Sequence, residues 1–151
     1  MSEVLIFSDI HAHCHKNKTE RLEDCLKALD WVFSVARDRK IKNILFGGDF
    51  FHDRQKIEVY TYQRAFETLK KNLDGSIQLW LLLGNHDLWF NEKTSISSVV
   101  PFSTLPGVKI IDRPIREKIE NSYWDFIPFT HDPISWVQEF KTQLPGKTQY
   151  C

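Results

Sequence analysis

Cysteine is scarce in this sequence of 151 residues, which contains only Cys14, Cys25 and Cys151. Their number is odd and no two of them have Cys-x-x-Cys spacing, so we expect neither a disulfide framework nor a structural zinc ribbon. Such sparse use of cysteine is typical of a reducing compartment, and it predicts a cytoplasmic protein.

Long apolar runs are also missing. The first apolar stretch covers residues 4–7, and the acidic side chain of Asp9 follows it too early for the core of a signal peptide. No other segment approaches the roughly 18 uninterrupted apolar residues of a membrane-spanning helix. The sequence therefore predicts no association with a membrane.

An excess of charge of either sign is absent. Lys plus Arg total 20 and Asp plus Glu total 20, so the formal net charge is zero. This excludes a polybasic protein that binds nucleic acids or membranes through a global positive field, and it leaves only local patches for such contacts. Apolar residues make up 42% of the chain, which is enough for the core of one domain and too much for a disordered chain.

The apolar residues form a pattern of alternating strands and helices in the first half of the chain. Short apolar runs typical of buried strands cover residues 4–7, 43–46 and 77–83. Apolar side chains at helical spacing cover residues 20–39 and 62–73. This βαβαβ order predicts a parallel sheet with right-handed crossovers, in the α/β or α+β class.

The second half of the chain has weaker signals. We predict strands at residues 108–111 and 123–129 and a helix at 134–144. The tail at residues 145–151 has no recognisable element. His131 is the only histidine in this half, and we interpret it as a loop residue.

Polar side chains follow each of the three predicted strands directly. These segments are Asp9-Ile10-His11, Gly48-Asp49-Phe50-Phe51-His52 and Gly84-Asn85-His86-Asp87. The carboxyl ends of parallel strands meet at one edge of a sheet, where open α/β sheets bind their ligands, so we expect these side chains to converge. Carboxylate, amide and imidazole donors without thiolates suit Mn²⁺, Zn²⁺ or Fe²⁺. The sequence therefore predicts a metal site.

The three motifs Asp-x-His, Gly-Gly-Asp and Gly-Asn-His-Asp, in this order at strand ends, resemble the calcineurin-like metallophosphoesterases. Residues 48–52 are similar to those of the SbcD-type DNA-repair exonucleases and their phage recombination-nuclease relatives. The protein phosphatases of the family usually have an Asp where His52 stands. The resemblance covers residues 4–88 well and the remainder loosely, and it implies the start of the family's β-sandwich.

The resemblance also implies a centre with two divalent metal ions. Asp9 and His11 would be ligands of the first ion, Asp49 would bridge both ions, and Asn85 would be a ligand of the second. Mn²⁺ is the ion that we expect, with Zn²⁺ and Fe²⁺ as alternatives. Two such ions lower the pKa of a bridging water, so that the nucleophile is a hydroxide activated by the dinuclear centre.

Three further residues receive roles from the same resemblance. His86 would be the catalytic residue that stabilises the transition state or protonates the leaving oxygen. Asp87 would orient the imidazole of His86, and His52 would contact the scissile phosphate. We interpret His13 and His15 as solvated loop residues, because His11 alone matches the family's ligand.

The sequence departs from the family pattern in its second half. It lacks the Gly-His-x-His segment that supplies late metal ligands, so the first ion lacks one ligand and the second lacks two imidazoles. The strands that complete the family's second sheet are also missing. We therefore interpret residues 1–151 as the N-terminal portion of a single metallophosphoesterase domain.

The leading functional hypothesis is a metal-dependent phosphodiesterase that acts on DNA, as an exonuclease or endonuclease subunit. The resemblance implies an SMC-like ATPase partner and a homodimer. Trp89 and Phe90, directly after the third motif, either stack on a base or pack against the protein.

Three other functions remain open from the sequence. One is a small-molecule phosphoesterase of the same fold. Another is a barrel of the amidohydrolase or histidinol-phosphatase kind, because His11-Ala12-His13 resembles the His-x-His that opens such barrels. The third is an inactive scaffold that binds a partner, since the late ligands are missing.

Overall fold

The computed structural model describes residues 3–16, 18–90 and 93–143. Its elements are β1 (Leu5–Phe7), α1 (Glu20–Asp38), β2 (Asn43–Phe46), α2 (Val59–Asn72), β3 (Gln78–Leu82), β4 (Leu88–Phe90), β5 (Lys93–Ser97), β6 (Val108–Ile111), β7 (Ile115–Ile119), β8 (Ser122–Phe126) and α3 (Pro133–Gln143). Short 3₁₀ helices cover Asn85–Asp87 and Val100–Thr104. The three predicted strands of the first half and the two helices between them are all present.

Strands β1, β2, β3 and β6 form one sheet in this order, and every pair in it is parallel. The register places Leu5 beside Ile44 and Ile44 beside Leu79. Strands β2 and β3 lie in the middle and are almost wholly apolar, because helices and a hairpin cover the two faces of the sheet. The predicted mixed α/β fold with a parallel sheet is confirmed.

Helix α1 packs against the sheet through a stripe of apolar side chains spaced three and four residues apart. The buried members of this stripe are Leu22, Cys25, Leu26, Leu29, Val32, Phe33 and Ala36. Most of them share one core cluster with Ala65 and Leu69 of α2 and with Ile44 of the sheet. Burying one such aliphatic or aromatic side chain stabilises a fold by about 1.5–3 kcal/mol. The stripe therefore holds the two crossover helices on the same face of the sheet.

The opposite face of the sheet is covered by the antiparallel hairpin of β7 and β8. The rings of Trp80 and Phe126 stack with centroids 5.6 Å apart and planes 10° apart. The strand predicted at residues 123–129 is β8, which ends at Phe126. Strand β7 was not predicted, because the three charged residues between Ile115 and Ile119 interrupt the apolar pattern that indicates a strand.

The remaining elements complete the chain as far as it is described. Helix α3 confirms the helix predicted at residues 134–144, while residues 144–151 lie outside the described residues. None of the helices within the described ranges has the length and apolar character that crossing a membrane requires. Cys14 and Cys25 are free thiols, and burial raises the pKa of the Cys25 thiol.

Candidate active site

The loops after β1 and β2 are joined by backbone hydrogen bonds that continue beyond the strands. The N–H of Asp9 donates to the carbonyl of Gly48 at 3.0 Å, and the N–H of His11 donates to the carbonyl of Asp49 at 3.1 Å. The N–H of Ala12 donates to the carbonyl of Phe50 at 2.8 Å. The first two polar segments therefore lie side by side at the carboxyl edge of the sheet, as the sequence predicts.

The backbone is strained where the predicted ligands lie. Asp9, His11 and Asp49 have φ angles of 58°, 46° and 61°, in the left-handed region that residues with a Cβ rarely adopt. Each such residue costs about 1 kcal/mol or more, and residues of this kind cluster at functional sites. Hydrogen bonds from the backbone N–H groups of Asp9, His11 and Asp49 hold all three residues in place.

Two glycines allow the loops after β2 and β3 to touch. A Cβ on Gly48 would lie 2.6 Å from the backbone nitrogen of Gly84, and Gly48 also has a left-handed φ of +108°. A Cβ on Gly84 would lie 2.2 Å from Oδ1 of Asp49. Both distances are far below a real Cβ contact, so only glycine permits this approach.

The carboxylate of Asp87 ties these two loops together. It accepts hydrogen bonds from the N–H groups of Asp49 at 2.8 Å, Phe50 at 2.9 Å and Gly84 at 2.9 Å. Its side chain is 1% exposed, and burial raises its pKa while the three N–H groups act in the opposite direction. We expected Asp87 to orient the imidazole of His86; instead, both of its oxygens bind backbone groups.

Asp49 lies at the centre of the site. Its Oδ1 accepts a hydrogen bond from the N–H of His86 at 2.9 Å, and its Oδ2 lies 3.9 Å from Nε2 of His11. Oδ1 of Asp9 lies 3.6 Å from the same nitrogen. One donor atom each from His11, Asp49 and His86 lies within 4.8 Å of the others. This is a spacing at which side chains can share a metal ion.

The donor set fits a divalent metal. Two carboxylates face the Nε2 of His11, and the Nδ1 of that ring is buried with no hydrogen-bond partner among the described residues. Among the described residues, the polar contacts of the His11 ring are therefore those that the carboxylates of Asp9 and Asp49 make with Nε2. Oxygen and imidazole donors without thiolate suit Mn²⁺, Zn²⁺ or Fe²⁺.

Asn85 belongs to the same cleft. Together with Asp9 and Asp49 it lines a cavity of about 260 Å³, with Pro128 and Phe129 on its wall. The N–H of Phe129 donates to the carbonyl of Leu83 at 2.9 Å, which fixes that wall to the end of the third strand. The structure thus brings all four predicted metal ligands to one edge of the sheet.

His86 is half-buried in this cluster, and the exposed ring of His52 lies beside it. The Nδ1 of His86 donates to the backbone carbonyl of His52, so Nε2 is the ring nitrogen of His86 that this hydrogen bond leaves unused. Loss of water around the ring is the largest cause that lowers the pKa of His52, followed by the neighbouring imidazole of His13, while Asp53 raises it. The two rings lie 6.0 Å apart, with planes 27° apart.

His13 is a site residue that the sequence interpretation missed. Its ring is half-buried and stacks on that of His52, with centroids 4.3 Å apart, so it is not a solvated loop residue. The available signal was the His-x-His spacing of His11-Ala12-His13. His15 is exposed, as predicted.

The other candidate residues have simpler positions. His131 is an exposed loop residue, as predicted, and its ring meets the edge of Phe129 at 4.9 Å. Trp89 and Phe90 are 47% and 44% exposed, on the strand that directly follows the third polar segment. Their exposure favours the interpretation that they can stack on a ligand over the interpretation that they pack inside.

A comparison with protein families agrees with this arrangement. The family model described as calcineurin-like phosphoesterase matches residues 2–145. The match includes all three strand-end segments and extends well beyond residue 88, where the motif resemblance weakens.

Proposed function

The chain belongs to the calcineurin-like phosphoesterase family, and we propose that it is a nuclease subunit that hydrolyses phosphodiester bonds of DNA at a centre of two divalent metal ions. Membership in the family supports a metal-dependent phosphoester hydrolase. The proposal adds the polymeric substrate and the number of ions. It is supported chiefly by one observation, the convergence of Asp9, His11, Asp49 and His86 within hydrogen-bond or ion-pair distances.

The residues of the chain divide the work as follows. Asp9 and His11 would hold one ion, Asn85 would hold the other, and Asp49 would hold both. Bound divalent ions lower the pKa of water and neutralise phosphoryl oxygens in reactions of this class. Mn²⁺ fits the mixture of carboxylate, amide and imidazole donors, as do Zn²⁺ and Fe²⁺.

His86 is suited to act on the substrate. Its Nδ1–H is fixed by the carbonyl of His52, so a proton can be held or released only at Nε2. A protonated Nε2 can donate to a phosphoryl oxygen or to the leaving oxygen of the ester. His52 is exposed beside it and would contact the same phosphate.

Two features favour DNA over a small phosphoester. The segment Gly48-Asp49-Phe50-Phe51-His52 resembles that of the SbcD-type nucleases, and the exposed rings of Trp89 and Phe90 can stack on bases. The small-molecule phosphoesterase is the alternative that the test must separate. From the resemblance we also propose a homodimer and an SMC-like ATPase partner, which size-exclusion chromatography and co-purification would test.

The experiment compares hydrolysis of a double-stranded oligonucleotide, bis(p-nitrophenyl) phosphate and p-nitrophenyl phosphate in the presence of Mn²⁺. We expect cleavage of the oligonucleotide with the highest kcat/KM, and loss of it in Asp49→Ala and His86→Ala. The matched controls are Asp24→Ala, an exposed acid on α1, and His131→Ala, an exposed histidine. Preference for p-nitrophenyl phosphate would overturn the nuclease assignment, and full activity in Asp49→Ala would overturn the site.

A further inference from the structure

Three imidazole rings of the site form a row. The rings of His86 and His52 have centroids 6.0 Å apart and planes 27° apart, and those of His52 and His13 have centroids 4.3 Å apart and planes 26° apart. His11 meets the first two edge-on, at 4.9 Å from His86 and 5.6 Å from His52. The closest stacked contact in the row is therefore the one between His13 and His52. The proposed function gives no role to His13.

The ring of His13 is itself fixed by its own loop. Its Nδ1 lies 2.7 Å from the carbonyl oxygen of His11, which can only accept, so Nδ1 carries the proton. The same loop is joined to that of His52, because the N–H of His52 donates to the carbonyl of Ala12 at 3.4 Å. His13 is half-buried, whereas His52 is exposed. The half-buried ring of His13, which is fixed by its own loop, therefore stacks on the exposed ring of His52.

We propose that His13 is a positioning residue, whose stacked ring holds the imidazole of His52 in the orientation that meets the phosphate. The proposal rests on the proposed function, in which His52 contacts the substrate. An exposed histidine otherwise samples several rotamers, and each that turns away from the cleft loses the contact. His13 acts through His52 and does not itself touch the phosphate.

NMR spectroscopy tests the arrangement of the rings independently of any hydrolytic activity. In chain labelled at its histidine rings, the Hδ2 and Hε1 signals of His52 are identified by their loss in His52→Gln. We expect His13→Ala to move these signals downfield, because the stacked ring no longer shields them. His13→Phe, which keeps a flat ring, should keep them upfield, and His15→Ala is the matched control with no shift. Unchanged His52 signals in His13→Ala would overturn the proposal.

A kinetic test then reads the consequence. With bis(p-nitrophenyl) phosphate and Mn²⁺, we expect His13→Ala to lower kcat by about threefold to tenfold, the range given by the strength of one aromatic pair. KM and Mn²⁺ affinity by calorimetry should stay unchanged, and His13→Phe should restore kcat to within about twofold of the original. Equal loss in His13→Phe, with the His52 signals in place, would show direct substrate contact by His13 and overturn the positioning role.

The two tests keep the proposals separable. If the unsubstituted chain hydrolysed none of the three substrates while His13→Ala still moved the His52 signals, the proposed function would fail and the ring contact would stand. If hydrolysis depended on Asp49 but not on His13, the positioning role would fail and the proposed function would stand.

Discussion

The carboxylate of Asp87 accepts the backbone N–H of Asp49 at 2.8 Å, across 38 residues of sequence. Two further N–H groups, of Phe50 and Gly84, bind the same buried carboxylate. Asp87, the last residue of the third motif, thus fixes the backbone position of Asp49 in the second motif. Asp87 therefore shapes the site through the backbone, and its carboxylate is not one of the donor groups that face the cleft.

Replacing Asp87 by Ala should destabilise the protein strongly, because three N–H groups would lose their acceptor, two of them in buried hydrogen bonds. We expect the free energy of unfolding to fall by about 3 kcal/mol or more, measured by urea denaturation. Asp24→Ala, which removes an exposed carboxylate from α1, is the control and should change it by less than about 0.5 kcal/mol. A loss below about 1 kcal/mol in Asp87→Ala would contradict the structural role.

Gly84→Ala should damage metal binding more than Gly75→Ala. The new Cβ would lie 2.2 Å from Oδ1 of Asp49, so that carboxylate must move. We expect Mn²⁺ affinity to fall by about tenfold to a hundredfold, measured by calorimetry. In the control Gly75→Ala the nearest atom is a side-chain carbon 3.8 Å away, so any loss there reflects backbone strain at φ +89° alone. Equal Mn²⁺ affinity in the two variants would argue against the steric explanation.

The hairpin that covers the sheet should respond to acid through Asp125. Arg116 donates to both of its oxygens at 2.6 Å, and these hydrogen bonds lower the pKa of the carboxyl. A lowered pKa means that the pair stabilises the fold above the unfolded pKa of about 3.9 and loses this effect as the pH falls through the folded value.

The comparison with Asp125→Asn measures this effect. We expect the variant to be less stable at pH 6 by less than about 1 kcal/mol, since the pair is partly exposed, and the difference to shrink towards pH 2. Urea denaturation at both pH values gives the two differences. A difference that grows as the pH falls would have the wrong sign for this ion pair.

Cys25 should resist alkylation in the folded chain. It is 8% exposed on α1, and burial raises the pKa of its thiol, so little thiolate is present at neutral pH. We expect iodoacetamide to leave Cys25 unmodified at pH 7.5 and to modify it fully in urea, as read by peptide mass spectrometry. Rapid modification under native conditions would mean that α1 does not pack as described.

The sheet and the convergence of polar side chains at its edge could be predicted from the sequence because both depend on local patterns. Apolar runs mark the central strands, and polar residues at their ends must meet at one edge of a parallel sheet. For this reason the sequence predicts that Asp9, Asp49 and Asn85 lie in one cleft, where the structure also has them. The family match covers residues 2–145.

The contacts that organise the site could not be predicted in this way. Asp87 binds backbone N–H groups, and a sequence pattern carries no record of which backbone group a carboxylate meets. The ring of His13 stacks on that of His52, which lies 39 residues further along the chain. This contact depends on how the two loops lie relative to each other in space, which a local sequence pattern does not specify. Strand β7 has three charged residues in a row, Arg116, Glu117 and Lys118, so its place over the sheet follows from the register with β8 and not from its own composition.

Calorimetric titration with Mn²⁺ tests whether side chains from the three strand ends form one divalent metal site. We expect the unsubstituted chain to bind Mn²⁺, and Asp49→Ala to lower the affinity by at least about tenfold while Asp24→Ala does not. Two ions bound per chain would support the dinuclear centre. No binding by the unsubstituted chain, or equal affinity in Asp49→Ala, would mean that these strand ends do not form a metal site.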